Sequence, residues 1–321
     1  MPSDDAAGAA QQGAEGAAYR GHDLSIVIPA FNEAEGITTT LNNLRAHLPQ
    51  AEVIVVDDGS SDATATVVEA MEGVRLIRHG FNRGYGAAIK TGMLAARRTH
   101  IAWFDADNEH RVEDLIQMKL LLDREGVAAV LGHRRQAGVT AVRVVGKAVI
   151  RAVARSLGLK VGRDLNCGLR VFRRLAILPY VSVLPDSYSA STTSTMILAE
   201  RQYPVRFYDI DTNPRIGHSK VRIRHGFGTI AIILRTITLF APLRIFFGVG
   251  LPVVLAGGVY SLLIAMLQRE GLPAAGVLSM LAGLLLCCFG LLADQISQLR
   301  LLQLSQLRAE ASSGPVSEDA V

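Results

Sequence analysis

The stretch His100–Asp107 (HIAWFDAD) decides the fold, because an apolar run ends there in two aspartates one residue apart. The run His100–Phe104 has the composition of a buried strand. In open α/β sheets, ligands bind outside the carboxyl ends of the strands, where Asp105 and Asp107 stand. Oxygen-only ligands suit a hard divalent cation, Mg²⁺ or Mn²⁺, shared with a substrate's phosphates. On its own, an Asp-x-Asp pair more often belongs to a solvated turn or helix cap than to a metal site, so the metal assignment depends on the surrounding sequence.

The segments upstream of this stretch alternate between strands and helices. The predicted strands are Leu24–Pro29, Val53–Val56, Arg75–His79 and His100–Phe104. The predicted helices are Ile37–Leu48, one capped by Ser61 or Asp62, and one that follows Asn82–Gly86 and ends at about Arg98. This alternation predicts a parallel, doubly wound sheet. Polar clusters follow the first, second and fourth strands, so they fall at one edge of that sheet.

Three motifs, in this order and spacing, resemble the family-2 glycosyltransferases of GT-A fold. They are Ile28–Glu33 (IPAFNE), Val56–Asp62 (VDDGSSD) and Asp105–Asp107 (DAD). The resemblance implies a Rossmann-like α/β domain with a mostly parallel sheet. It also implies that the first two motifs hold the base and ribose of a nucleotide sugar, and that the third holds a metal ion on its diphosphate.

The resemblance implies a set of site residues. Nucleotide-sugar binding is assigned to Pro29, Phe31, Asn32, Glu33, Asp57, Asp58, Lys90, Asp105 and Ala106. Metal binding is assigned to Asp105, Asp107 and Glu109, where Glu109 replaces the glutamine of many relatives and adds a negative charge. Catalytic roles are assigned to Asp105, Asp107 and Asp164. Strand-end carboxylates can accept hydrogen bonds from a base imide and from ribose hydroxyls, and the division of these contacts between Asp57 and Asp58 stays open.

The C-terminal third is more apolar than the rest of a chain that is 50% hydrophobic with a mean hydropathy of +0.28. Ile245–Leu267 and Leu272–Ala293 are each long enough to cross a bilayer, and only the short segment Gln268–Gly271 separates them. We therefore predict a transmembrane hairpin, with a pair of buried core helices as the alternative. Gly226–Phe240 is predicted to be an interfacial helix, and the basic stretch Arg215–His225 precedes it.

Basic residues predict the orientation of the hairpin. Four arginines precede the first span, at Arg222, Arg224, Arg235 and Arg244. Two follow the second span, at Arg300 and Arg308. Both ends and the N-terminal domain are therefore expected in the cytoplasm, at the inner membrane. The predicted regions are a disordered tail without a secretory leader (1–22), a catalytic domain (23–225), an interfacial helix (226–243), a hairpin (244–293) and a cytoplasmic tail (294–321).

Charge and cysteine content narrow the class of protein further. The formal net charge of +4 and the pI near 9.1 agree with a membrane surface, and the sequence has no nucleic-acid-binding motif. The three cysteines, Cys167, Cys287 and Cys288, indicate neither a disulfide framework nor a zinc site. The Gln-x-x-Arg-Trp motif of processive polysaccharide synthases is absent, and the only tryptophan is Trp103.

Basic residues are the candidates for acceptor binding: Arg134, Arg143, Lys147, Arg215 and Lys220. Arg143 and Lys147 lie one helical turn apart and can face one anion, although a solvated helix face accounts for them equally well. Together with the hairpin, these residues resemble the polyprenyl-phosphate branch of the family, typified by dolichol-phosphate mannose synthases and their bacterial relatives with a two-helix anchor. In that branch the corresponding basic residues contact the lipid phosphate and the diphosphate.

The resemblance implies a single displacement at the anomeric carbon, and hence inversion. A phosphate monoester has a second pKa of about 6, so the nucleophile is already anionic and depends more on positioning than on a base. Asp164 is placed to orient the sugar or acceptor, or to act as a base. Two other classes stay open: a transferase acting on diacylglycerol or ceramide, and a non-catalytic membrane scaffold. The choice of UDP or GDP, the sugar and the oligomeric state, including a homo-oligomer, also stay open.

Overall fold

The structure is a computed structural model, and it describes residues 18–134, 167–214, 242–268 and 272–312. The chain divides into two compact units, Met1–Arg224 and His225–Val321. Predicted site residues Arg143, Lys147, Asp164, Arg215 and Lys220 lie outside the described residues, as does most of the predicted interfacial helix.

The first unit is built on a mixed sheet with helices between the strands. Its strands are β1 (Leu24–Ala30), β2 (Glu52–Asp57), β3 (Val74–Arg78), β4 (His100–Trp103), β5 (Ala129–Arg134), β6 (Arg170–Arg173) and β7 (Val205–Ile210). Its helices are α1 (Ala34–His47), α2 (Thr64–Glu69), α3 (Tyr85–Ala95), α4 (Val112–Glu125), α5 (Arg174–Ile177) and α6 (Ala190–Glu200), with a 3₁₀ helix at Leu178–Val183.

The seven strands form one sheet in the order β3-β2-β1-β4-β6-β5-β7. Every strand pair is parallel except those of β6, which runs antiparallel to both β4 and β5. The predicted mostly parallel α/β sheet is therefore confirmed, with one reversed strand whose direction the sequence pattern did not predict. The carboxyl ends of β1, β2 and β4 lie together at one edge of the sheet, where the polar clusters that follow these strands were predicted to meet.

Strand β1 was predicted to end at Pro29, but it continues to Ala30. Pro29 pairs in register with Val56 of β2, whereas β4 accompanies β1 only as far as Val27. The Ala30 carbonyl accepts from the Asp58 amide on the β2 side, so the Pro29 nitrogen faces the β4 side one residue earlier. Because the ladder with β4 has already ended there, the missing N–H of proline costs no hydrogen bond.

Two helix boundaries differ from their predictions. Helix α2 has Ala63 at its cap position, so neither Ser61 nor Asp62 is the cap residue, although the Asp62 carboxylate accepts from the Thr64 amide at 3.0 Å. Helix α3 ends at Ala95 rather than near Arg98. The amides of Arg97 and Arg98 donate instead to side chains of β2 and β1, the carboxylate of Glu52 and the hydroxyl of Ser25.

The core lies where α1 and α4 cover the sheet. All seven residues of β1 are buried, as expected for a central strand covered on both faces. Helix α1 buries Ile37, Leu41 and Leu44 at helical spacing, and α4 does the same with Leu115 and Leu122. Each of these leucines and isoleucines contributes about 1.5–3 kcal/mol by leaving water. The edge that carries the polar loops is therefore supported by a rigid layer.

The second unit consists of two long apolar helices, α7 (Pro242–Gln268) and α8 (Ala274–Ser312). Their spans Phe246–Leu267 and Ala274–Ile296 are long and apolar enough to cross a membrane, and only 17% and 22% of their most apolar windows are buried. Buried core helices would be mostly covered, so the exposed faces favour the hairpin over that alternative. Helix α8 continues well beyond the predicted end of the second span at Ala293.

Glycines bring these two helices close together. They recur at intervals of seven residues on α7 (Gly250 and Gly257) and on α8 (Gly276, Gly283 and Gly290). A Cβ atom at Gly250 would lie 2.7 Å from the Gly283 carbonyl oxygen, and one at Gly257 would lie 2.9 Å from that of Gly276. Larger side chains at these positions would separate the helices. The close approach that glycine allows is the small-residue packing common between membrane helices.

Candidate functional site

The loops after β1 and β2 are joined by hydrogen bonds. Asn32, at φ 50°, donates its amide N–H to the Ser60 hydroxyl at 2.8 Å, and its side-chain oxygen accepts from the Ser61 amide at 2.7 Å. The Glu33 amide donates to the Thr64 hydroxyl at 2.9 Å. The first two predicted motifs therefore form one continuous wall at the edge of the sheet.

Asp58 is a buried anchor for the loop that leads into α3. Its carboxylate is 3% exposed and accepts from His79 Nδ1 at 2.7 Å, from the Arg83 amide at 2.9 Å and from the Gly84 amide at 2.8 Å. Because His79 Nδ1 faces an acceptor, it carries the proton, and Nε2 lies 3.0 Å from the Thr91 hydroxyl. Three donors thus occupy the Asp58 carboxylate from within the protein.

Asp57 has a different environment, although it is the neighbouring residue. One oxygen, Oδ1, accepts from the Ser60 amide at 3.0 Å. The other, Oδ2, is buried without a hydrogen-bond partner among the described residues, and Arg78 Nε lies 3.6 Å from it. A buried acceptor without a hydrogen-bond donor is costly, and the charge of the nearby Arg78 guanidinium offsets part of that cost.

The start of α3 is held against the loop before α6. The Gly86 amide donates to the Asp186 carbonyl at 2.8 Å, and a Cβ atom at Gly86 would lie 2.0 Å from the Pro185 carbonyl oxygen. Lys90, a predicted nucleotide-sugar ligand, forms an ion pair with the exposed carboxylate of Asp186. Tyr85 stacks on Tyr188 with ring centroids 5.1 Å apart and an interplanar angle of 21°.

Asp105 is held through both of its oxygens. Tyr85 donates its hydroxyl to Oδ1 at 3.0 Å, and His110 Nε2 lies 3.1 Å from Oδ2. Burial alone would raise the pKa of Asp105, but the hydrogen bonds from His110 and Tyr85 and the His110 charge lower it. For His110, burial would lower the pKa, and the Asp105 carboxylate raises it instead. Asp105 is therefore ionised at neutral pH, and its carboxylate favours the protonated form of His110 over the neutral one.

Asp107 and Glu109 lie in the turn after Asp105. Asp107 is 5% exposed and accepts from the Glu109 amide at 3.1 Å. The Glu109 carboxylate pairs with Arg134 Nη1 at 3.1 Å, so a predicted metal ligand and a predicted acceptor ligand neutralise each other. Among the described residues no group of three or more metal-binding side chains converges, and the predicted trio of Asp105, Asp107 and Glu109 is not assembled.

The donor set still fits a divalent cation. Asp105 and Asp107 are hard oxygen donors one residue apart at a strand end, and Asp105 is ionised. Mg²⁺ is commonly bound by one or two carboxylates together with substrate phosphates rather than by a complete protein cage. Asp105, Asp107 and a bound diphosphate would supply a ligand set of this kind, while Glu109 is engaged by Arg134.

The remaining predicted site residues have structural positions near these loops. Pro29 is buried in β1, Phe31 and Glu33 are half-buried in the loop that follows, and Ala106 is 3% exposed. The Ala106 carbonyl accepts from the Thr40 hydroxyl of α1 at 3.0 Å, which fixes the backbone between the two aspartates.

Sequence reasoning missed Tyr85, His110 and Arg170. Arg170 is completely buried, donates to the Cys167 carbonyl at 2.9 Å and the Thr195 hydroxyl at 2.7 Å, and lies 5.8 Å from the Trp103 ring. One signal was visible in the sequence, because a buried guanidinium needs acceptors and the run at residues 191–195 is entirely Ser and Thr. Tyr85 and His110 gave no such signal, because single aromatic residues are common in loops.

Comparisons with known proteins agree with this geometry. The family described as Glycosyl transferase family 2 matches residues 25–156, and the family described as GtrB C-terminal hairpin matches residues 241–299. An uncharacterised protein of Methanocaldococcus jannaschii is 30% identical over 187 residues, which cover 56% of this chain and 76% of that protein. The chain belongs to the family-2 glycosyltransferases. The resemblance noted from the three sequence motifs is confirmed.

Two further relatives have names that state a substrate. The dolichyl-phosphate beta-glucosyltransferase of Drosophila melanogaster is 27% identical over 221 residues, or 59% of this chain and 68% of that protein. The undecaprenyl-phosphate 4-deoxy-4-formamido-L-arabinose transferase of Aeromonas hydrophila is 26% identical over 308 residues, or 86% of this chain and 89% of that protein. This family-2 glycosyltransferase therefore resembles polyprenyl-phosphate sugar transferases, and its apolar C-terminal helices suggest a membrane anchor.

A solved structure supports the fold. Glucosyl-3-phosphoglycerate synthase from Mycobacterium tuberculosis, in complex with Mn²⁺, UDP-glucose and phosphoglyceric acid, superposes with a TM-score of 0.54 at 20% identity. The match covers 70% of this glycosyltransferase and 83% of that chain. At this identity the likeness shows the GT-A fold alone.

Proposed function

We propose that this glycosyltransferase moves a sugar from a nucleoside diphosphate to a polyprenyl phosphate, undecaprenyl or dolichyl, at the cytoplasmic face of the inner membrane. The observation that carries the proposal is the ionised Asp105 beside Asp107, at the edge formed by the joined loops after β1 and β2. The match of residues 241–299 to the GtrB hairpin and the names of the relatives support the lipid acceptor.

The two adjacent aspartates after β2 have separate tasks in this proposal. We assign the imide N–H of the base to Asp57, whose Oδ2 has no hydrogen-bond partner among the described residues, and this contact requires the covering Arg78 side chain to move. Asp58 keeps the loop from Arg83 to Gly84 in place and does not contact the nucleotide directly. Asn32 and Glu33 complete the nucleotide pocket from the β1 side.

Asp105 and Asp107 would hold the divalent cation, Mg²⁺ or Mn²⁺, together with the donor's diphosphate. When bound, the cation supplies positive charge that stabilises the leaving nucleoside diphosphate. Tyr85 and His110 keep Asp105 ionised and oriented. Arg134 lies next to the same turn, where it pairs with Glu109 at 3.1 Å.

The chemical step is an in-line displacement at the anomeric carbon. An oxygen of the acceptor phosphate forms the new C–O bond while the bond to the donor's diphosphate breaks, so the configuration inverts. The acceptor oxygen is anionic at neutral pH, and the protein's task is to orient it and balance its charge. We assign acceptor binding to Arg134, Arg143, Lys147, Arg215 and Lys220, and an orienting or basic role to Asp164.

Reconstitution of the full chain in lipid vesicles tests this function. Vesicles with undecaprenyl or dolichyl phosphate would be supplied with UDP- and GDP-sugars in turn, and the lipid product would be detected by mass spectrometry. We expect a polyprenyl-phosphate sugar that requires Mg²⁺ or Mn²⁺ and that Asp107→Asn does not make. Transfer to diacylglycerol or ceramide but not to polyprenyl phosphate would contradict the acceptor assignment, and binding without transfer to any lipid would favour a scaffold.

A further inference from the structure

We propose that Tyr85 is a positioning residue for the transfer reaction, which fixes the Asp105 carboxylate in the orientation that holds the donor's diphosphate and its metal. This inference rests on the proposed function of the site. Tyr85 belongs to none of the three motifs, and it lies at the start of α3, the helix that follows β3. Its hydroxyl reaches Asp105, at the end of β4, from twenty residues away in sequence.

The first step of the argument concerns the freedom of Asp105. A carboxylate held by a single donor can rotate about its terminal torsion, which has a broad energy well. Here the Tyr85 hydroxyl fixes Oδ1 at 3.0 Å, and His110 Nε2 fixes Oδ2 at 3.1 Å. Two donors on different oxygens define the plane of the carboxylate, so the lone pairs left for other ligands point in set directions.

The second step is that the backbone on both sides of Tyr85 is itself held. The Gly84 amide donates to Asp58 Oδ2 at 2.8 Å, and the Gly86 amide donates to the Asp186 carbonyl at 2.8 Å. Gly84 has φ 104°, and a Cβ atom there would lie 2.4 Å from the Asp186 carbonyl oxygen. Only glycine fits such positions, so the chain places the tyrosine between two fixed points.

The third step concerns the ring. Tyr85 stacks on Tyr188 at a centroid distance of 5.1 Å, and the Asp186 carboxylate of the same loop pairs with Lys90 one turn further along α3. This contact restrains the tilt of the phenol, which decides whether its hydroxyl meets Asp105. The loop before α6 therefore acts on Asp105 through Tyr85, without itself touching the carboxylate in the described contacts.

The variant Tyr85→Phe tests the proposal because it keeps the ring and removes the hydroxyl. We expect kcat to fall about tenfold and the Mn²⁺ concentration for half-maximal activity to rise about tenfold, as loss of a hydrogen bond to a charged group predicts. Tyr188→Ala removes the stacked ring and should also lower kcat and raise the Mn²⁺ requirement. Tyr188→Phe keeps the ring, so its kcat and Mn²⁺ requirement should match those of the wild type. A role in packing alone would change the melting temperature without changing either value.

The matched control is Tyr19→Phe. Tyr19 also donates its hydroxyl to an aspartate, Asp23, at 2.6 Å, but at the opposite end of the sheet. Its loss should lower the melting temperature and leave kcat and the Mn²⁺ requirement unchanged. If Tyr85→Phe behaves like Tyr19→Phe, the positioning role of Tyr85 is wrong.

A binding measurement separates this inference from the proposed function. Titration of the full chain with UDP or GDP, with and without Mn²⁺, gives the metal-dependent gain in nucleotide affinity by calorimetry. Tyr85→Phe should reduce that gain about tenfold and leave the metal-free affinity unchanged. If the wild type binds nucleotide with Mn²⁺ but transfers no sugar to polyprenyl phosphate, the proposed function is wrong. The calorimetric comparison still tests whether Tyr85 positions Asp105 for metal-dependent nucleotide binding. An equal gain in the variant and the wild type would overturn the inference.

Discussion

Asp57 and Asp58 show how much the position of a single residue determines its role. Both are aspartates at the end of β2, and both are buried. Asp58 receives three donors from the loop after β3, whereas Asp57 Oδ2 receives none among the described residues. The alternation of side chains along the backbone directs the two carboxylates to different surroundings. Their roles therefore differ, although in the sequence they are two consecutive aspartates.

Substitution of these two aspartates should affect different properties, stability for Asp58 and nucleotide affinity for Asp57. Asp58→Asn removes a charge that accepts three hydrogen bonds, so we expect a loss of about 2–3 kcal/mol in the free energy of unfolding and reduced activity with it. Asp57→Asn keeps the fold but weakens nucleotide binding about tenfold, because the oxygen assigned to the base is lost. Chemical denaturation and calorimetry measure the two effects. If Asp58→Asn keeps full stability and loses nucleotide affinity, the assignment is reversed.

Asp107→Asn tests the metal assignment at a single carboxylate. The substitution keeps the size of the side chain and its acceptor for the Glu109 amide, so the melting temperature should change little. Transfer activity should fall at least a hundredfold, because one charged ligand of the proposed cation is neutralised. Chelation of the wild type should have the same effect and be reversed by added Mn²⁺. Full wild-type activity in EDTA would contradict the assignment.

At the scale of elements, a cluster of charged side chains ties β1, β4 and α4 together at the end of the sheet away from the site. Lys119 of α4 is 1% exposed and forms ion pairs with Asp23, at 2.8 Å, and with Asp123. His100 Nδ1 of β4 lies 3.0 Å from the Asp23 carboxylate, and Tyr19 donates to the same carboxylate. Tyr19 stood within the predicted disordered tail, yet it packs here against the body of the domain.

This cluster should make the domain sensitive to acid and to loss of its lysine. Burial would raise the pKa of Asp23, but hydrogen bonds from Lys119 and Tyr19 lower it to about 2. A depressed carboxyl pKa stabilises the fold above pH 4, and this contribution to stability is lost as the pH falls from 4 towards 2. Burial lowers the pKa of His100 as well, which acts in the same direction below pH 6.5. Denaturation between pH 2 and pH 7 measures the loss.

Lys119→Met removes the buried cation and leaves two carboxylates without it. We expect the free energy of unfolding at pH 7 to fall by about 3 kcal/mol, and part of the acid sensitivity to disappear. Arg124→Met, on an exposed position of the same helix, is the control and should change stability little. Equal stability of the two variants would mean that the cluster contributes nothing.

The glycines between α7 and α8 make a second prediction about elements. A Cβ atom at Gly250 would lie 2.8 Å from Cys287 Sγ, whereas one at Gly248 meets nothing within 4 Å. Gly250→Val should separate the helices, at a cost of about 1–3 kcal/mol, and Gly248→Val should not. Maleimide labelling checks this, because buried Cys287 should react several times faster in the first variant while exposed Cys288 serves as a reference. Unchanged labelling of Cys287 would contradict the close packing.

Much of the parallel part of the sheet could be predicted from the sequence, because each strand there is an apolar run followed by polar loop residues. The reversed strand β6 could not, since its four residues Arg170–Arg173 begin and end in arginine and carry no sign of direction. The separate roles of Asp57 and Asp58 also required the structure, because they depend on contacts with the loop after β3. Glu109 was assigned to the metal from its position alone, and its pairing with Arg134 depends on β5 lying nearby.

At the scale of the whole molecule, the chain divides into a unit with the sheet and a unit with the apolar helices. A chain ending at Arg224 keeps the loops after β1, β2 and β4, so it should bind nucleotide and Mn²⁺ as tightly as the full chain. Transfer to polyprenyl phosphate in vesicles should fall at least tenfold, while a short water-soluble acceptor should be affected less. Calorimetry and vesicle assays measure the two. Equal transfer in vesicles by the truncated and full chains would show that the helices are not needed for acceptor use, and it would weaken the assignment of a polyprenyl-phosphate acceptor.

The reversed strand β6 also has a consequence for how the protein emerges from the ribosome. Strands β1 to β4 are contiguous in sequence and can pair as soon as they are synthesised, but β4 then remains an edge until Arg170–Arg173 arrives. Trp103, the single tryptophan, is fully buried, and two residues of β6 contact it: Phe172, with ring centroids 5.1 Å apart, and Arg170, which lies over its ring. Its fluorescence should therefore change late in refolding, after the first four strands have formed. Trp103 fluorescence can therefore report when β6 pairs with β4 and joins the two parts of the sheet.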